Sequence, residues 1–207
     1  MEYVLLGWPE RGPTLTLDWR AFSYAGKFVM SNTGKAVVRT GDGSGPPVTD
    51  DGDAADDIVA AAAFNEDRTD ASVCWIRYIT VREDRRGEGI GPDLAAFVAA
   101  RAGDRGYGRA RIAVNNPFAY QALYRAGFRF TGEETGVAEL VLDRPVGDGS
   151  DTAGPTGDRS RSTYQAGLDI YRQRADTEDG PDLSADEREF LAEKDGADPP
   201  DPVDPPA

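Results

Sequence analysis

The sequence predicts a mixed α/β fold, a sheet flanked by helices, followed by an acidic helical extension. Two observations predict it. From Ile58 onward, β-rich runs alternate with helical patterns in the order strand–helix–strand–helix–strand–strand. Beyond Asp143 the composition shifts: residues 143–207 hold 17 acids against 7 bases, most of the chain's net charge of −14. The expected division is therefore a domain over 1–143 and an extension over 144–207.

The elements follow in order. Thr14 to Asp18 reads as a strand, and Phe22 to Arg39 has strand or short-helix character. Gly41 to Asp57 is rich in Gly, Pro and Asp and reads as a mobile acidic loop. Its aspartates (Asp50, Asp51, Asp53, Asp56, Asp57) lack the spacing of an EF-hand. Ile58 to Phe64 is a strand stopped by Asn65-Glu66-Asp67. Cys74 to Val81 is the next, with Trp75, Ile79 and Val81 on one side and Ile76 and Tyr78 on the other. Apolar residues on both faces suit a central strand.

Pro92 fits the first turn of a helix, whose stripe of Leu94, Phe97 and Val98 closes at Gly103. Arg111 to Val114 is a short strand, Phe118 to Arg125 a helix ended by Gly127, and Phe128 to Thr131 and Val137 to Leu142 are the last strands. In the extension, Thr163 to Arg174 forms an amphipathic helix with Tyr164, Leu168 and Tyr171 on one face. That face packs on its own domain or on a second subunit in a homodimer. Ser184-Ala185-Asp186-Glu187 is a capping box before Phe190 and Leu191, and the Pro/Asp-rich tail from Gly196 reads as disordered.

Composition removes several functions. The chain has no histidine, the commonest metal ligand and general base, which argues against zinc sites and serine–histidine triads. A single cysteine, Cys74, accords with a reducing cytoplasm, and the N-terminus lacks the basic start of a signal peptide. No apolar run is long enough to span a membrane. Aspartates dominate the acids, and only Lys27, Lys35 and Lys194 are lysines. This scattered carboxylate coat resembles that of proteins from salt-in halophiles; the rival reading is a nucleic-acid mimic or cation binder. Nucleic-acid binding is disfavoured, because a duplex reader carries a basic face.

The stretch Arg85-Arg86-Gly87-Glu88-Gly89-Ile90-Gly91 stands between a strand and an alanine-rich helix. Glycines let backbone N–H groups converge, the helix start adds its own unpaired amides, and arginines fit phosphate. Residues 77–111 hold eight arginines against five acids, a local positive excess in an acidic protein. The loop lacks the lysine of a Walker motif and the full Gly-x-Gly-x-x-Gly spacing, which weakens a nucleotide-binding reading.

Ile79 to Gly91 resembles the acyl-CoA motif of GNAT-superfamily N-acetyltransferases, Arg/Gln-x-x-Gly-x-Gly/Ala, matched by Arg86, Gly89 and Gly91. Asn116 to Phe128 resembles the family's second signature, with its Asn, Leu-Tyr pair and closing Gly-Phe. The resemblance covers about Ile58 to Leu142. It implies a mostly antiparallel central sheet, with the strand ending at Val81 splayed from the strand ending at Val114. It also implies acetyl-CoA as acyl donor, pyrophosphate on the amides of Gly87, Glu88, Gly89, Ile90 and Gly91, and phosphate contacts from Arg82, Arg85 and Arg86. The pantetheine arm would pair with Ile79 and Val81, and Asn116 would hold its thiol end. The activity implied is N-acetylation of an amine acceptor that the sequence does not identify. The alternative is a non-catalytic acyl-CoA-binding or partner-recruiting module.

With no histidine, the simplest chemistry is direct attack of the amine on the thioester. Cys74 reads as a small buried hydrophobe. Glu66 and Asp67, after the strand that precedes the acyl-CoA strand, and Glu133 and Glu134 are candidate general bases, none singled out by the sequence. The family's helix tyrosine corresponds to Tyr124, a candidate proton donor to the leaving thiolate, with Tyr120 one turn earlier as the alternative.

Overall fold

The structure, a computed structural model, describes residues 1–41, 57–147, 158–175 and 183–207. Most of the acidic loop expected at 41–57 lies outside the described residues. These residues form strands β1 (Glu2–Gly7), β2 (Gly34–Arg39), β3 (Ile58–Glu66), β4 (Val73–Val81), β5 (Arg109–Val114), β6 (Arg129–Glu134) and β7 (Leu140–Pro145). The helices are α1 (Ile90–Asp104), α2 (Pro117–Arg125), α3 (Arg161–Ala175) and α4 (Ala185–Glu193). The strands make one seven-stranded sheet in the order β1-β2-β3-β4-β5-β7-β6. Every neighbouring pair is antiparallel except β4 and β5. The mixed, mostly antiparallel α/β sheet is thus the architecture the sequence predicts.

The two sheet faces are buried differently. One core lies beneath α1 and α2 and includes Ala60, Ala62, Ile76, Leu94, Ile112 and Leu142. Small alanines on β3 let α1 approach closely, which explains why an alanine-rich strand is central. The other face of β2 and β3 is covered by the connection between β1 and β2, through Leu15, Leu17, Phe22 and Phe28.

That connection corrects one expectation. Thr14 to Asp18 is not a strand; the Leu15 amide donates to the Phe28 carbonyl at 3.1 Å, so the segment pairs with its own far end. The alternation of Leu15 and Leu17 reflects one-sided burial, which mimics the strand period. The first strand is instead Glu2–Gly7, which antiparallel pairing holds against β2. Lys35 secures the connection from beneath. Fully buried, its ammonium donates to the carbonyls of Pro13 (3.1 Å), Met30 (2.8 Å) and Thr33 (3.0 Å) and to Thr33 Oγ1 (2.6 Å).

A second correction concerns β4. Its partners on β3 run Ala62↔Ile79 and Ala63↔Tyr78, then Phe64↔Ile76. Arg77 is therefore the extra residue of a β-bulge. The bulge puts Cys74 and Ile76 on the same face as Ile79 and Val81, where plain alternation puts Ile76 opposite them.

The extension shares the main core. Tyr164, Leu168 and Tyr171 of α3 and Leu191 of α4 are buried in it with Tyr120 and Phe130. That face is used by its own chain and does not serve as a subunit surface. Ser184 caps α4 reciprocally with Glu187, as its capping box predicts. The tail is a third correction. The Val203 amide donates to Arg125 O at 2.7 Å, Arg159 donates to Pro200 O at 2.8 Å, and Gln165 donates to Ala197 O at 2.8 Å. Prolines lack a donor, but carbonyls of this tail accept from Gln165 of α3 and from Arg159, two residues before that helix.

Candidate active site

β4 and β5 pair only from Val73↔Arg109 to Ile76↔Ile112. Past Ile76 the two parallel strands part at the bulge. The Arg82 amide donates to Val59 O at 2.8 Å. This fixes Ala60↔Val81 and Ala62↔Ile79 as the non-hydrogen-bonded pairs of the antiparallel ladder. Ile79 and Val81 therefore turn their N–H and C=O groups away from β3, into the gap. On the other side, Val146 N donates to Gly108 O at 3.1 Å, and the same alternation turns the main-chain groups of Ala113 into the gap.

The glycine loop closes the end of this gap. After a 3₁₀ turn at Glu83–Arg85, Gly87 and Gly89 both adopt φ 86°, the left-handed region that favours glycine. Gly89 is the N-cap of α1 and no side chain caps the helix. The first-turn amides of Ile90 and Gly91 consequently have no partner within the helix, and the positive end of its dipole faces outward. A Cβ at Gly91 would touch Val81 Cγ2 at 3.5 Å, so loop and gap adjoin.

The arginines are placed differently from the simple phosphate-binding expectation. Arg85 is held by Glu88 (2.8 Å), Arg82 by Asp84 (2.7 Å), and Arg86 lies 3.6 Å from Glu83 while donating to Ser23 Oγ at 3.0 Å. Hydrogen bonding to Arg85 holds the Glu88 carboxyl below its usual range, and hydrogen bonding to Arg82 does the same for Asp84. Each of these guanidinium groups thus faces a carboxylate from the same loop.

Asn116 is the N-cap of α2, its Oδ1 accepting from Ala119 N at 2.8 Å. Among the described residues its Nδ2 makes one long contact, 3.5 Å to Asn115 Oδ1. Cys74 is buried and its thiol is pushed up to about 12 by burial, which agrees with a hydrophobic role.

The catalytic candidates do not converge on the gap. Tyr124 is fully buried, and its hydroxyl accepts the Phe130 amide of β6 at 3.2 Å. Tyr120 is also fully buried and donates to Tyr164 O at 3.1 Å. Burial raises the pKa of both phenols. Glu66 is exposed and pairs with Cys74. At roughly 3.3 Å per residue, the six-residue step along β3 from Ala60, the partner of Val81, puts it about 20 Å from Val81. Asp67 Oδ1 is occupied by Thr69 (2.6 Å), and Glu134 is bound to Arg174 (2.5 Å). Sequence reasoning missed Arg77, whose bulge carries no composition signal, and Ser23, which anchors the loop from a distant part of the chain.

A helix-flanked sheet that parts between two parallel strands, with an uncapped helix at the end of the gap, is the arrangement that the resemblance in the sequence implies. The model of the acetyltransferase (GNAT) family matches residues 10–128, more than half of the chain, and the chain belongs to that family. Among solved structures it is similar to nourseothricin acetyltransferase, at 22% identity and TM-score 0.40, covering 55% of this chain and 65% of that one. It is similar to a Bacillus subtilis acetyltransferase in complex with CoA, at 15% identity and TM-score 0.43, covering 55% and 77%. A phosphinothricin acetyltransferase from Sinorhizobium meliloti in complex with AcCoA matches at 17% identity and TM-score 0.45, covering 64% and 71%. A comparison with curated proteins finds no match. No helix among the described residues is long and apolar enough to cross a membrane.

Proposed function

We propose that this protein transfers the acetyl group of acetyl-CoA to an amine in a reducing, salt-rich cytoplasm. The observation that carries this reading is the meeting of two unsatisfied main-chain arrays: the amides at the start of α1 and the open edge of β4 beside them. The first suits a pyrophosphate and the second an extended amide-bearing arm. In this reading the amides of Gly87, Glu88, Gly89, Ile90 and Gly91 hold the pyrophosphate, while Arg85 and Arg86 exchange their carboxylates for phosphate. Ile79 and Val81 pair with the arm, one of their amides polarises the thioester carbonyl, and Asn116 Nδ2 binds the thiol end.

The amine nitrogen then forms a bond to the acetyl carbon as the carbon–sulfur bond breaks. Of the two protons the ammonium loses, one ends on sulfur and one in water. A thiolate of pKa about 8.5 leaves without a strong acid, consistent with a Tyr124 committed elsewhere. Titration calorimetry with CoA in molar potassium chloride, followed by thiol release from acetyl-CoA with mixed amines, tests the proposal. Saturable binding and amine-dependent release are expected; no binding overturns it. The interior placement of both tyrosines favours, as second reading, a module that binds acyl-CoA without turnover. Its signature is binding with no release.

A further inference from the structure

The face of β4 turned away from α1 carries aromatic and cationic groups that donor binding leaves unused. At the bulge, Arg77 is half-buried, donates Nε to Asn65 Oδ1 at 2.7 Å, and lies 4.5 Å from the centre of the Trp75 ring. Arg111 approaches the same indole at 5.5 Å. One residue on, Tyr78 is flanked by Tyr24, ring centres 5.8 Å apart, and by Lys27, whose Nζ is 5.9 Å from the ring. Tyr24 is 55% exposed and sits at φ 61°, a left-handed conformation unusual for a bulky residue. Its segment is joined to the acyl-CoA loop, because Glu83 N donates to Ala21 O at 3.0 Å and Arg86 to Ser23.

Charge sets this face apart. Nearby arginines have acidic partners: Arg85 has Glu88, and Arg109 and Arg111 share Asp143. Arg77 and Lys27 have no carboxylate in ion-pair reach among the described residues; one bonds a neutral amide and the other faces a ring. Asp67, whose charge acts on Arg77 from beyond ion-pair distance, accepts from Thr69, and Asp143 is shared by Arg109 and Arg111. In a chain of net charge −14, this face of β4 thus presents two cations without an ion pair, Arg77 over Trp75 and Lys27 over Tyr78. A guanidinium laid over an indole and held by a neutral amide through Nε keeps its terminal nitrogens for an anion. The site also adjoins the gap, since β4–β5 pairing stops at Ile76, one residue before Arg77.

We propose that the acceptor is an amine that also carries a carboxylate, as an amino acid does. Arg77 is its anion clamp, Lys27 a second positive charge, and Tyr24 and Tyr78 are its aromatic walls. This deepens the acetyl-transfer reading and rests on it.

The test uses the full chain in molar potassium chloride with acetyl-CoA and follows thiol release. Each of the twenty amino acids is compared with its own carboxamide, and putrescine serves as a purely cationic amine. The expected result is acetylation of one or more amino acids with KM at least tenfold below that of the matching amide. Arg77→Met should raise that KM at least tenfold, keep kcat within threefold and leave the amide's KM unchanged, with Arg77→Lys partly restoring the preference. Lys27→Met, at an exposed position, should shift KM in the same direction and carries the test should Arg77→Met not fold. Amides or putrescine used as well as amino acids, or no amino acid acetylated, overturns the inference. CoA calorimetry on the same samples separates the layers. Absent CoA binding brings down acetyl transfer itself, whereas binding with transfer only to amines lacking a carboxylate brings down this acceptor assignment alone.

Discussion

Gly167 of α3 lies so close over the ring of Tyr120 of α2 that a Cβ at residue 167 would overlap the phenol. Tyr120 donates its hydroxyl to the carbonyl of Tyr164, and the rings of Tyr120, Tyr124 and Tyr164 pack together with centroids 4.8 to 5.8 Å apart. The tyrosines that the helix signature offers for catalysis are thus the surface on which the C-terminal extension docks.

Gly167→Ala is therefore expected to destabilise. Alanine inside a helix ordinarily gains up to ~1 kcal/mol over glycine. Here the added methyl must displace Tyr120 or lift α3, a cost of about 1–3 kcal/mol typical of overpacked cores. Thermal unfolding of the two proteins in the same salt decides the sign. A stabilised variant would mean that α3 does not sit where it is described.

Tyr124→Phe separates packing from catalysis. Its hydroxyl accepts the buried Phe130 amide, so the variant leaves that donor without a partner and should lose about 1–2 kcal/mol of stability. Acetyl transfer should stay within twofold. A hundredfold loss of kcat with intact CoA binding would restore Tyr124 as the proton donor.

Much of this was legible in the sequence where a local rule sufficed. The turn at Gly87 to Gly91 announces itself through glycines that need positive φ, and Ser184 with Glu187 through the reciprocal spacing of a capping box. What escaped depends on distant partners. The bulge at Arg77 is defined by register against β3, and one inserted residue reverses the facing of everything before it. Whether Tyr124 reaches the gap depends on α3, some forty residues later. The tail looked too polar to fold, yet its order comes from Arg159 and Gln165 donating to its carbonyls. Composition cannot report a partner's donors.

Lys35 gives the fold a distinctive alkaline response. Burial lowers its pKa to about 8 in the folded chain, against about 10.4 for an exposed lysine. Between those values the folded lysine is mostly neutral while the unfolded one is still protonated. The unfolded state then binds more protons, so this residue's contribution to stability rises with pH from about 8 to 10.4. Below pH 8 both states are protonated and the contribution is flat. Denaturant unfolding from pH 7 to 10.5 should show this rise in the parent chain relative to Lys35→Met. That variant should also be less stable overall, having removed the donor to three carbonyls and a hydroxyl. A pH-independent difference between the two would exclude the titration.

The last prediction concerns the self-paired loop. Arg85 is paired with Glu88, so under the proposed function the pair competes with a phosphate for the same guanidinium. Glu88→Gln removes both the competition and a negative charge from the binding surface, while leaving the backbone amide of residue 88 in place. CoA should bind more tightly, by roughly two- to fivefold at low ionic strength, the range of an exposed ion pair. Because such pairs are screened within about 3 Å at 1 M salt, the difference should vanish in molar potassium chloride. Calorimetric titration of both proteins across salt concentrations measures it. Weaker binding by the variant at low salt would instead mean that Glu88 orients Arg85 toward the ligand and is part of the phosphate site.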